Sequence, residues 1–146
     1  MPAATSERRA HAVPAHPTVR RHRRQVLRWA LANAHPVDRD ALAVLVAVRS
    51  DPSSGRVALE WQTDQVAHVL ASAAPVWCRL HRVAQPPDLT TTLSTYLRFL
   101  SANMGLAAGS DTAAALRLAV ADQRPSHQRS RARHPTSQLA PVLPIC

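Results

Sequence analysis

Apolar residues recur at helical spacing along most of this chain. From Thr18 to Ala34, the residues Val19, Val26, Leu27, Ala30, Leu31 and Ala34 gather on one face at about 100° per residue. Arg20, Arg24 and Arg28 run beside that face every fourth residue, with Arg21 next to them, so the segment reads as an amphipathic helix with a basic stripe. His35-Pro36 ends it, because a residue before Pro avoids the helical region.

Asp38 is placed to cap the next helix, and Asp40 suits its first turn. Ala41 to Val48 is apolar throughout. Periodicity alone cannot separate a buried helix from a buried strand there, and the cap and the alanines favour helix. Ser50-Asp51-Pro52-Ser53-Ser54-Gly55 reads as a loop.

Trp61 to Ala74 is helical in pattern, with Val66, Val69, Leu70 and Ala73 on one face. Pro75 breaks or kinks it, and a short helix follows from Val76 to Val83. After Gln85-Pro86-Pro87-Asp88, a helix runs from Leu89 to Met104, with Leu89, Leu93, Tyr96, Leu97, Leu100 and Met104 in register and Gly105 as its stop. Ser110-Asp111 caps a last helix carrying Leu116 and Val120. The expected fold is a single all-α domain of about five or six helices over residues 18–123. Residues 1–17 and 124–146, rich in Pro and Arg, read as disordered basic tails.

Charge sharpens this division. Of the net +9, residues 37–122 carry −1, residues 1–36 carry +6 and residues 123–146 carry +4. All 18 basic residues are Arg. Arg makes bidentate phosphate contacts, but it also accumulates with Ala, Pro and Val in a GC-rich genome. Net charge speaks to partners rather than to fold.

The pattern Trp61, Val66, Leu70, Trp77-Cys78, Pro87, Leu93, Tyr96-Leu97-Arg98-Phe99-Leu100, Gly105, Ser110-Asp111 and Leu116 is similar to a loose family of uncharacterised small helical proteins from actinobacteria. Pro36-Val37-Asp38 and Ala41-Leu42 fit it as well, so the resemblance covers about residues 20–120. It implies a helical fold, a cytoplasmic location and no assigned activity. Relatives of that kind carry Thr or Ser after the Trp and an acid three residues on, a capping box. Here Gln62 and Gln65 stand at those positions, with Thr63 and Asp64 as substitute caps.

Candidate chemistry is sparse. Cys78 and His81 share a helix face, but a structural zinc site wants four ligands, and His68 is the only other candidate in the body. A Cys/His nucleophilic dyad lacks an orienting third group. Glu60 and Asp64 lie one turn apart, yet such acids commonly complement a helix N-terminus. Glycines at 55, 105 and 109 make no phosphate-binding loop. An enzyme is therefore not expected, and no cofactor or metal is implied. No apolar run reaches the roughly 18 residues of a membrane span. The short apolar stretch after Arg23-Arg24 is interrupted by Arg28 and makes a poor export signal. Two cysteines, one at the end of the chain, suit a reducing cytoplasm.

The functional lead is the basic cluster Arg20, Arg21, Arg23, Arg24 and Arg28, with His22 adding partial charge. It predicts non-specific contact with nucleic acid or another polyanion. A helix-turn-helix reader built from Trp61–Ala74 and Val76–Val83 is a stricter alternative, as Arg79 and Arg82 lack an Asn or Gln to read adenine. The remaining alternatives are a helical protein–protein interaction module and, remotely, chemistry at Cys78/His81.

Overall fold

The computed structural model describes residues 8–123. They form an all-α domain with α1 (Pro17–Ala32), α2 (Arg39–Val48), α3 (Thr63–His68), α4 (Ala74–His81), α5 (Leu89–Phe99) and α6 (Ala113–Asp122). A π turn over Val69–Ala73 joins α3 to α4 without a break, which makes five helical rods among the described residues. No strand occurs there, only isolated bridges between Arg8 and Val83 and between Ser50 and Val57.

The unbroken apolar run belongs to α2. A helix that is apolar all round must be covered all round, and α2 touches α1, α4, α5 and the short 3-10 turn Ala10–Ala12. Every residue from Ala41 to Val46 is buried. The strand alternative for this segment fails because Asp38 Oδ1 accepts the Ala41 N–H at 2.7 Å, which starts a helix. Thr92 and Thr95, buried on α5, fasten the preceding connection. Thr92 Oγ1 accepts the Asp38 N–H at 3.0 Å, and Thr95 donates to the Pro36 carbonyl.

α1 ends earlier than its periodicity implies. Ala34 takes φ +54°, and the Ala34 and His35 N–H groups return to Leu31 and Ala30, closing a Schellman turn. Leu31, expected on the core face, is 84% exposed, since the buried face of α1 is Val19, His22, Val26 and Ala30.

Pro75 does not split the third rod. Its missing N–H and bulky ring would clash with a regular ladder. The π turn just before it widens the helix, with the Ala74 N–H bonding Val69 O, so the chain continues into α4. The run ends at Arg82, which takes φ +54°. No turn separates the two segments, and the helix-turn-helix reading fails on that account. The Leu89–Met104 helix is α5 plus a second π turn, Leu100–Met104, stopped by Gly105 at φ +66°.

Two further expectations are corrected. Ser110-Asp111 does not cap α6, because Thr112 does so through its Oγ1 and the Ala115 N–H. Instead, Ser110 Oγ accepts the Trp61 N–H at 3.0 Å and Asp111 Oδ2 accepts the Thr63 N–H at 2.8 Å. The loop after Gly105 therefore clamps the start of α3, and Gln65 Oε1 completes the cap by accepting the Gln62 N–H. Second, residues 8–16 were expected to share the disorder of 1–17, yet they pack on α2. Ala10 and Val13 are buried, and His11 hydrogen-bonds Asp40 through both its backbone N–H and its ring. Residues 1–7 of the expected N-terminal tail, and the whole expected tail 124–146, lie outside the described residues.

Candidate polyanion interface

α1 presents its arginines in two sets. Arg21 and Arg28 are exposed on its outer face. Arg20, Arg23 and Arg24 turn toward the start of α2, where Arg39 meets them across a shallow groove of about 180 Å³ floored by Leu27 and Leu42. Arg39 belongs to this cluster although the sequence pattern did not place it there. It directly follows the Asp38 cap, and only the packing of α2 against α1 brings it near Arg20 and Arg23.

The groove is a concentration of like charge. Arg23 is half-buried, and its pKa is lowered first by desolvation and then by the positive charges of Arg20, Arg39 and Arg24. Asp40, in the first turn of α2, is taken up by His11 at 2.7 Å. Burial works upward on the Asp40 carboxyl, but the hydrogen bonds from His11 and the charges of His11 and Arg9 outweigh it and hold the carboxyl low. Among the described residues, none of the groove arginines has an ion-pair partner.

His22 does not contribute charge to this face. It points into the core, 7% exposed, with Nε2 2.9 Å from the Tyr96 hydroxyl. Desolvation lowers its pKa, so it is neutral at physiological pH.

The Cys78/His81 pair does not converge. Cys78 is buried, and burial raises its thiol pKa, the opposite of what a nucleophile requires. His81 is exposed and lies against Trp77, with ring centroids 4.3 Å apart. His68 is also exposed. Among the described residues no group of three His, Cys, Asp or Glu is placed to hold a metal ion.

One half-buried arginine has a partner inside the fold. Arg49 lies 4.7 Å from the Trp61 ring centroid and donates to the Glu60 carbonyl. Burial pulls its pKa down, while Tyr96 and Glu60 push it up. These contacts tie Arg49 to the start of α3 and leave it outside the groove lining.

Among the described residues, no helix is long and apolar enough to cross a membrane. No family model matches the chain, and neither a curated protein nor a solved structure matches it.

Proposed function

We propose that this chain is a helical module that holds nucleic acid or a similar polyanion, without sequence preference, on the arginine face of α1 and the start of α2. The observation that carries this reading is the groove where Arg20, Arg23, Arg24 and Arg39 crowd together with no acidic partner among the described residues. Phosphates entering the groove relieve that mutual repulsion, and the planar guanidinium can grip each one with two hydrogen bonds. Arg21 and Arg28 extend the same charge along the outer face of α1. Beyond Asp122 the sequence adds four more arginines and no acidic residue, so its charge has the same sign. A cytoplasmic setting goes with this reading.

The test is a duplex-DNA gel shift with the full chain across a salt series. One phosphate neutralised by each of these six arginines gives a slope of log K against log salt of about −5. The triple variant Arg20→Ala, Arg21→Ala and Arg24→Ala should weaken binding at least tenfold while circular dichroism shows an intact fold. Unchanged binding by the folded triple variant overturns the proposal.

A second reading, a protein–protein interaction module, is favoured by Val76 and Leu80, which lie one turn apart on α4 and are both exposed. Light scattering of the wild type and of Val76→Ser/Leu80→Ser distinguishes it, since an interaction through this face predicts self-association that the double variant loses.

A further inference from the structure

A second basic groove lies where α1 ends against α5 and α6, on the flank of α1 away from Arg39. It is built from two adjoining hollows. The first, about 280 Å³, has an aromatic and aliphatic wall of Trp29, His35, Leu97 and Ala113. The Trp29 and His35 rings stack there, with centroids 5.1 Å apart and planes 21° from parallel. Trp29 also packs against Phe99 in a T-shaped arrangement, with centroids 5.8 Å apart. The second hollow, about 370 Å³, is polar, with the hydroxyls of Thr90, Thr91 and Ser94. Arg98 and Arg117 line both hollows and so stand at their shared border.

The chemistry is divided in space. A flat ring finds an apolar wall in the first hollow. An anion carried by that ring, directly or through a sugar, meets the side chains of Arg98 and Arg117 at the border, then hydroxyl donors beyond. Neither Arg98 nor Arg117 has an ion-pair partner among the described residues. Small-ligand sites commonly pair an apolar wall with a few convergent polar groups, and the two hollows together supply both. Thr95 also lines the second hollow, but its hydroxyl donates to the Pro36 carbonyl.

We infer that the groove between Trp29 and Arg117 binds a small planar aromatic acid, its ring against the Trp29–His35 stack and its carboxylate or phosphate between Arg98 and Arg117. Two sources share this chemistry, an aromatic carboxylic acid and a nucleoside monophosphate. The site is independent of the polyanion groove, because it uses the opposite flank of α1 and none of its arginines.

Calorimetric titration of the full chain tests it, with 2-naphthoate against 2-naphthamide and AMP against adenosine. At least one acid should bind tenfold or more tightly than its neutral analogue. Arg98→Ala and Arg117→Ala should each reduce that affinity at least tenfold, and because both side chains are exposed, their melting temperatures should stay within a few degrees of wild type. The variant Arg20→Ala/Arg23→Ala/Arg24→Ala should bind the acid as wild type does, which keeps this result separate from the polyanion proposal. Whichever pair responds names the source. The inference is overturned if neither acid outbinds its neutral analogue, or if the Arg98 and Arg117 variants bind as tightly as wild type.

Discussion

His22 Nε2 lies 2.9 Å from the Tyr96 hydroxyl in the buried seam between α1 and α5. The His22 ring also meets the edges of Tyr96 and Phe99, at 5.6 and 5.9 Å between centroids. Burial pushes Tyr96 far above the usual phenol value and His22 below the usual imidazole value, so a protonated phenol and a neutral imidazole satisfy one another. The pair makes the α1–α5 seam polar at one point, and that point can be titrated.

Stability should therefore fall in mild acid. The folded-state pKa of His22 lies below its unfolded value of about 6.5. Between the two values the unfolded chain takes up the proton and the folded chain does not, so unfolding gains. The His22 contribution is complete above pH 6.5 and is lost as pH drops from there toward the folded pKa. Melting temperatures of wild type and His22→Phe, measured from pH 7.5 to 5, should show a steeper fall in wild type. Parallel curves would remove His22 as the source. Tyr96→Phe at pH 7.5 should cost about 1–3 kcal/mol, the usual penalty for stranding a buried polar partner.

The Ser110–Asp111 clamp predicts stability loss in the absence of any activity. Asp111→Ala strands the Thr63 N–H at the start of α3 and should cost about 0.5–2 kcal/mol in chemical denaturation. Ser110→Ala removes the acceptor for the Trp61 N–H and should cost about 1–3 kcal/mol. Because both act on the same entry to α3, the double variant should lose less than the sum of the two singles. Additive losses would mean that the clamp is not one unit.

The N-terminal segment should matter to the core. Ala10 and Val13 are buried against α2, and removing residues 1–16 exposes what they cover. Losing a buried Val alone forfeits about 1.5–3 kcal/mol. A chain beginning at Pro17 should denature at lower urea concentration than one beginning at Arg8, and equal midpoints would show that the segment only rests on the surface. His11→Ala should reproduce part of the loss, because Asp40 then keeps neither the ring nor its charge.

Arg39 offers a sharper test of the polyanion face than the helix α1 residues do, because no amphipathic pattern includes it. Arg39→Ala should reduce the magnitude of the salt slope by about 0.9 and weaken duplex binding. Arg79→Ala, an exposed arginine on α4, should change binding much less. Equal effects from both would mean that affinity follows net charge and not the groove.

Helix identities were legible wherever a stripe or a breaker had a local cause. Asp38 announced α2, Gly105 ended the α5 run, and Leu116 and Val120 marked the buried face of α6. Of the residues behind the actinobacterial resemblance, Trp61, Tyr96 and Leu100 are core residues, Ser110 and Asp111 form the clamp beside them, and Pro87, Arg98 and Gly105 are exposed. That pattern describes how the chain packs and is silent on chemistry. Reading failed where a side chain had two partners within reach. Ser110-Asp111 looked like a local cap for α6, but Thr112 was nearer to that task, which left the pair free to cap α3 across the fold. His22 looked like one more cation in a basic run, yet it falls on the same side of α1 as Val19 and Val26.

By itself, then, the amino-acid order determined the all-α architecture, the central apolar helix and the strip of arginines on α1, because each depends on periodicity and capping within a few residues. The tertiary structure alone decided that Arg39 joins Arg20, Arg23 and Arg24, that Arg98 and Arg117 line the hollow beside the Trp29–His35 stack, and that Ala10 and Val13 belong to the core. Those relationships join positions far apart in the chain, and they come into being only when the apolar faces of the helices are buried against one another.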